Sequence, residues 1–171
     1  MTIDEIIKHL QDTFPEAGLV EEDTKPDKVL RVSASALHQV CLALRDDPAL
    51  AFNCLMCLSG LEMGDELQTV YHLYSMNHRH KFTIRCGVSK EEPSTPTVSD
   101  IWATAEWHER ESFDLLGIVY ENHPDPRRIL LPDDWEGHPL RKDYVPQDKW
   151  HNIPLTSIVP QGGNVEEEEE A

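Results

Sequence analysis

The sequence predicts an α+β fold, an antiparallel sheet with packed helices, followed by a long extended proline-rich C-terminal arm. Three apolar or alternating segments fall between residues 50 and 86, joined by links too short for the crossover that a parallel pair needs. Segments with helical spacing and cap residues stand before and after them. From residue 118 to 160 seven prolines accumulate, Pro124, Pro126, Pro132, Pro139, Pro146, Pro154 and Pro160, which break helices and suit a strand only at its edge or start. The chain therefore divides into a domain over residues 1–117, a partner-binding arm over 118–160 and a disordered acidic tail over 161–171.

Thr2 opens the first helix: Glu5, three residues on, completes a capping box, Ile3, Ile6, Ile7, Leu10 and Phe14 share one face, and Pro15 ends it. Residues 16–28 are acidic and aperiodic and read as an irregular surface connection. Residues 29–32 form a short apolar run suited to a strand. Ser33 or Ser35 then caps a second helix, with Leu37, Val40, Cys41 and Leu44 inward, and Asp46-Asp47-Pro48 stops it. Residues 50–58 are nearly all apolar, which predicts a central strand. Residues 67–75 are mixed on both faces, and residues 81–86 alternate, with Phe82, Ile84 and Cys86 inward. Gly60, Gly64-Asp65 and Asn77 supply turn chemistry between these strands. After a proline-rich loop at 91–96, Ser99-Asp100 starts one turn and Thr104 caps the last helix. In that helix Glu106 to Arg110 and Arg110 to Asp114 are opposite charges at i,i+4, and Gly117 stands where a left-handed C-cap belongs.

The stretch beyond Gly117 is proline-rich yet carries Ile118, Val119, Tyr120, Ile129, Leu130, Leu131, Trp135, Leu140, Tyr144, Val145, Trp150 and Ile153. A disordered linker is poor in such residues. Two readings fit: an extended arm that orders against another protein, or an arm folded back over its own domain. Glu109-Arg110-Glu111, Arg127-Arg128 and Arg141-Lys142-Asp143 can make paired contacts across a subunit boundary, and Trp135, Tyr144 and Trp150 supply the aromatic side chains that interface centres favour.

The formal net charge of -17 includes the run at 166–170, but the rest of the chain is acidic too. Nucleic acid and anionic lipid select basic patches, so neither is an expected partner. The sequence has no apolar run long enough to span a bilayer and no basic start leading into an apolar segment, which places the chain in the cytoplasm, reaching a membrane only through partners. Cys41, Cys54, Cys57 and Cys86 lie in apolar segments and read as reduced thiols. Cys54 and Cys57, three apart on a strand, should point to opposite faces and so cannot share an ion. A small metalloenzyme built on His72, His78, His80 or the cysteines lacks an identifiable third ligand. His138 lies in the arm with nothing to fix a role for it. Glu109, Glu111 and Asp114 resemble paired catalytic carboxylates only superficially: without a nucleophile, phosphate loop or metal set they read as a salt-bridged helix.

The ordered set Glu109-Arg110-Glu111, Asp114, His123, Arg127-Arg128 and Pro139-Leu140-Arg141-Lys142-Asp143-Tyr144 closely resembles the small hydrophilic C subunit of the proton-pumping NADH-quinone oxidoreductases. That family spans mitochondrial and bacterial complex I and includes the chloroplast-type J subunit. The likeness continues upstream through Val70-Tyr71-His72-Leu73-Tyr74-Ser75 and more loosely to about residue 30, while Pro126 departs from it where leucine is expected. The resemblance implies a non-catalytic structural subunit of the hydrophilic arm of an enzyme that passes electrons from NADH through iron-sulfur clusters to quinone, coupled to proton translocation. It implies no cofactor in this chain, with iron-sulfur clusters, FMN and quinone held by partner subunits. It makes the large hydrogenase-related subunit of the quinone module the chief neighbour, wrapped by the arm, and places the chain peripherally on the cytoplasmic side of a bacterial inner membrane. Membrane-bound hydrogenase and formate hydrogenlyase complexes contain a similar subunit, so the electron donor stays open.

Overall fold

The computed structural model describes residues 1–24 and 28–155; the predicted acidic tail at 161–171 and the last arm residues, 156–160, lie outside the described residues. Helix α1 (Ile3–Thr13) starts at the predicted capping box, with the Thr2 hydroxyl accepting from Glu5 N–H and the Glu5 carboxylate accepting from Thr2 N–H. Strands β1 (Val20–Asp23) and β2 (Lys28–Val32) precede α2 (Ala34–Asp46). Strands β3 (Cys54–Met63), β4 (Glu66–Ser75) and β5 (His80–Ser89) form a meander, followed by β6 (Ser94–Pro96), α3 (Ala105–Leu116) and β7 (Val119–Glu121). The main sheet has the order β1-β2-β5-β4-β3, and β6 pairs with β7 in parallel beside it.

One face of that sheet makes the core. Leu30, Ile84 and Tyr71 lie side by side across β2, β5 and β4, as do Phe82 and Leu73, and they pack with Ile6 and Leu10 of α1 and Leu37, Val40 and Leu44 of α2. The α+β class is as the sequence predicts; several details differ. Residues 20–23, expected to be irregular, form β1, an edge strand antiparallel to β2, and Lys28 at its end joins Asp4 and Glu21. The sheet is mixed rather than antiparallel, because β2 runs parallel to β5. The short-link argument applies to consecutive strands, and this pair is separated by α2 and two intervening strands.

The strand expected at the centre from residue 50 is the edge strand β3, and it begins at Cys54. Leu50 and Phe52 are buried in a turn instead, with Ala51 at a φ of 47°. Side chains hold the turn: the Nε2 atoms of His78 and His80 contact the carbonyls of Pro48 and Leu50, and Trp102 Nε1–H donates to that of Phe52. A register shift between Leu55 and Cys57 pairs Cys54 with Tyr74 and Cys57 with His72, so both cysteines share one face, contrary to simple alternation. Among the described residues no three His, Cys, Asp or Glu side chains converge to hold a metal.

Gly60 is not in a turn but inside β3, where α3 crosses the sheet. A Cβ there would stand 2.7 Å from Leu116 Cδ1 and 3.1 Å from Ser112 Oγ. Glycine therefore sets how closely α3 approaches β3. Gly60→Ala is expected to destabilise the chain by about 1–3 kcal/mol, the usual effect of overpacking, read as a lowered urea midpoint at unchanged slope.

Candidate partner interface

Helix α3 carries the Glu-Arg-Glu sequence and ends at Gly117, whose φ of 77° makes the predicted left-handed cap. The chain then turns back and lies along the same helix. Gly117 lets it approach: a Cβ there would meet the His138 ring at 2.7 Å and Arg141 Nη2 at 3.1 Å. Of the two readings of the arm, the folded-back one describes residues 123–142, although no strand or helix beyond β7 supports it until the two-residue pair at 149–154.

Asp114 fastens this return. Its side chain is fully buried, and Oδ2 accepts the consecutive amides of Ile129, Leu130 and Leu131 at 3.0, 2.7 and 2.9 Å. Oδ1 accepts from Arg128 Nη1 at 2.8 Å. Burial opposes the charge, but these amides and the guanidinium more than offset it and hold the carboxyl below the usual carboxylate range. Arg128 also donates to the carbonyls of Asp114, Trp135 and Gly137, so its guanidinium is engaged inside this chain. Arg110, one helical turn before Asp114, reaches the carbonyls of Arg127 and Arg128 and lies 5.3 Å over the Trp107 ring. Farther along, Leu140 N–H donates to Leu115 O, Arg141 Nε to Leu116 O and Lys142 N–H to the Glu62 carboxylate, which Lys90 also contacts. The carbonyls left open by the helix C-terminus are thus capped by the returning arm.

Glu109 faces the other way, into the body, and is fully buried. It accepts from Val98 N–H at 2.8 Å and from the Thr97 hydroxyl. His123 Nε2 is 3.8 Å away, but this ring accepts Asp125 N–H at Nδ1 and contacts Glu106 O through Nε2, an arrangement that suits the neutral tautomer. Burial without a close cation raises the Glu109 carboxyl to about 7 against the pull of its two donors.

The predicted interface residues therefore fall into groups. Glu109, Arg110, Asp114 and His123 are buried; Arg128, Trp135, Arg141 and Tyr144 are half-buried; Glu111, Arg127, Lys142 and Asp143 are exposed. Trp135 Nε1 donates to Tyr144 Oη, and its ring lies 6.2 Å from that of Trp150. The sequence reading missed the partners of these groups: the backbone amides of Val98 and of 129–131 leave no compositional trace, and the Thr97 hydroxyl and Glu62 carboxylate are brought in by tertiary folding. It also missed the polarity of the arm. Arg128, Arg141 and the amides of 129–131 point inward, while Leu130, Leu140 and Val145 are 61%, 59% and 81% exposed.

The family model described as "Respiratory-chain NADH dehydrogenase, 30 Kd subunit" matches residues 30–149. The chain is 48% identical over 123 residues to the NADH-quinone oxidoreductase C subunit of Chloroherpeton thalassium, covering 71% of this chain and 51% of that protein. It is 42% identical over 141 residues to the C subunit of the Roseiflexus castenholzii NADH-quinone oxidoreductase, covering 81% of each. Thus it spans about half the length of the first relative and about four fifths of the second. Among solved structures, the trypsin-resistant fragment (1-134) of Nqo5 matches with a TM-score of 0.60 at 28% identity, over 73% of this chain and 99% of that one. A chain of the membrane-bound sulfane sulfur reductase, an archaeal respiratory membrane complex, shares the fold with a TM-score of 0.68 at 21% identity, over 83% and 85%.

Asp114→Ala is expected to destabilise the chain by about 3–5 kcal/mol, since it removes the buried carboxylate that pairs with the half-buried Arg128 guanidinium and accepts three amides, and to remove the hydrogen-exchange protection of residues 129–131. Arg127→Ala, at a side chain 71% exposed and paired among the described residues only with Asp125, should change stability by about 0.5 kcal/mol or less. In pH-dependent denaturation the two buried carboxylates act oppositely. Asp114, with its proton affinity lowered, stabilises above the ordinary carboxyl range and loses that contribution as pH falls through its folded value. Glu109, with its affinity raised, contributes fully below that range, and its contribution disappears as pH rises through about 7. Glu109→Gln should remove the fall in stability between the ordinary carboxyl range and about pH 7 and leave the Asp114 limb in place.

Proposed function

The chain belongs to the family of the 30 kDa subunit of respiratory-chain NADH dehydrogenase, and on that basis we propose that it is a structural component, the C subunit, of an NADH-quinone oxidoreductase of the complex I type. In this role it performs no electron transfer itself. Iron-sulfur clusters, FMN and quinone belong to neighbouring subunits, and the assembled enzyme moves electrons from NADH to quinone with proton translocation. The chain would sit peripherally, on the cytoplasmic side of the membrane if the source is bacterial. Among its described residues no helix is long and apolar enough to cross a membrane.

The inverted polarity of the arm is the observation that carries the role. A segment stabilised only by its own domain would turn Leu130, Leu140 and Val145 inward; here hydrogen bonds and Asp114 hold the backbone, and the aliphatic side chains are presented outward. Arg127, Lys142 and Asp143 flank them as an exposed charged rim. This arrangement suits a partner that supplies apolar surface at the centre and polar groups at the edge, and the large hydrogenase-related subunit is the proposed occupant. Little ordering entropy then remains to be overcome on association, because the Asp114 contacts already fix the backbone.

Purification through an N-terminal tag in mild detergent, followed by mass spectrometry of the co-eluting chains, tests the proposal. The wild-type chain should recover an assembly with iron-sulfur and membrane subunits. Leu130→Ser, Leu140→Ser and Val145→Ser combined should abolish that recovery while moving the melting temperature of the free chain by only about 2–4 °C. A wild-type chain recovered alone from membranes would falsify the assembly role.

A further inference from the structure

Glu109 has an outlet. Thr97 Oγ1 lies within hydrogen-bond distance of Glu109 Oε2 on one side and 2.8 Å from Ser99 Oγ on the other. Thr97 carries one hydroxyl proton and cannot donate in both directions. Two proton arrangements therefore exist. With Glu109 ionised, Thr97 donates to the carboxylate and Ser99 donates to Thr97. With Glu109 neutral, the carboxylic acid donates to Thr97 and Thr97 donates to Ser99. Thr97 and Ser99 line an open cleft of about 730 Å³ with His38, Asp100, Glu106 and Glu121.

We propose that Glu109 is a buried proton-binding site that exchanges its proton with this cleft through the Thr97 and Ser99 hydroxyls. In the uptake step a proton from solvent binds Ser99 Oγ, the Ser99 hydroxyl proton passes to Thr97 Oγ1, and the Thr97 proton passes to Glu109 Oε2. One proton enters, each hydroxyl ends with one proton, and the carboxylate becomes neutral. Thr97 N–H and Ser99 N–H hold the relay rigid by bonding Glu121 O and Thr97 Oγ1.

The groups around Glu109 leave its charge uncompensated. His123 from the arm is engaged by backbone on both nitrogens; Asp100, from the turn before α3, is a like charge within electrostatic reach and itself lies 2.9 Å from His38. Tyr120 of β7 and Cys41 of α2 are buried neighbours whose own ionisation Glu109 opposes. On α3 itself, Arg110 is directed to the arm carbonyls and Asp125, and Glu106 lines the cleft. The raised proton affinity of Glu109, about 7, makes both proton arrangements accessible near neutral pH.

The test uses the full chain carrying glutamate isotopically labelled at the side-chain carboxyl carbon, titrated by NMR, together with infrared detection of the protonated carboxyl after a pH jump. One glutamate should titrate near 7, and that signal should be missing in Glu109→Gln. Ser99→Ala should leave the midpoint in place and slow protonation by about a hundredfold, the loss expected when a positioned proton-transfer group is removed. Where Glu109→Gln fails to fold, Thr97→Val decides: removing a donor to the carboxylate should raise the midpoint by about one pH unit, tenfold in proton affinity. All glutamates titrating near the ordinary value of about 4.3 would overturn the proposal. So would a neutral-range signal that survives Glu109→Gln, a midpoint unmoved by Thr97→Val, or an unchanged rate in Ser99→Ala.

Discussion

The path of the chain from residue 128 to 137 depends on one buried charge. Four donors converge on the Asp114 carboxylate, three of them consecutive backbone amides of a segment that forms no helix or sheet of its own. Backbone amides need partners when they leave water, and in this stretch a side chain takes the place that a neighbouring strand would fill. The ion pair with Arg128 then extends the same constraint, because that guanidinium also gathers the carbonyls of Trp135 and Gly137. Remove the carboxylate, and the segment from 128 to 137 loses its common point of attachment.

Two glycines make that attachment sterically possible. Gly60 lets α3 settle on the edge of the sheet, and Gly117 lets the returning chain lie against the end of α3. The helix is thus clamped between a strand and an irregular segment, with its two buried carboxylates pointing to opposite sides. Asp114 faces the segment that returns, and Glu109 faces the loop at 97–98 that precedes the helix. Similar residues five positions apart consequently meet opposite electrostatic surroundings. Asp114 is given enough donors to stay charged, whereas Glu109 is given too few.

Much of this was legible in the residues. Thr2 and Glu5 announced the first helix, Gly117 the end of the last, and the alternation from Phe82 to Cys86 the inward face of β5. The order of acidic, basic and aromatic residues from 109 to 144 pointed to the family directly. What escaped was tertiary. The run at 50–58 reads as strand from its first residue, yet Leu50 and Phe52 are buried by a turn that distant histidines and Trp102 hold. Gly60 reads as a turn residue because only its missing side chain, and not the helix that needs its absence, is written in the sequence. The parallel alignment of β2 with β5 involves partners too far apart for local spacing to report. The charges of α3 look like a solvated helix surface, and only burial distinguishes Asp114 from the exposed Glu111.

The pairing of Leu30 with Ile84 and Val32 with Cys86 also bears on how the molecule is made. A nascent chain presents β2 and α2 long before β5 leaves the ribosome, so the centre of the sheet must wait for a contact of high sequence separation, a slow class of event. In that interval the apolar faces of α1 and α2 have no sheet to cover. The Asp114 contacts form later still, once residue 131 has emerged. The core can thus close only after β5 is available, and the 129–131 segment can join Asp114 only after that.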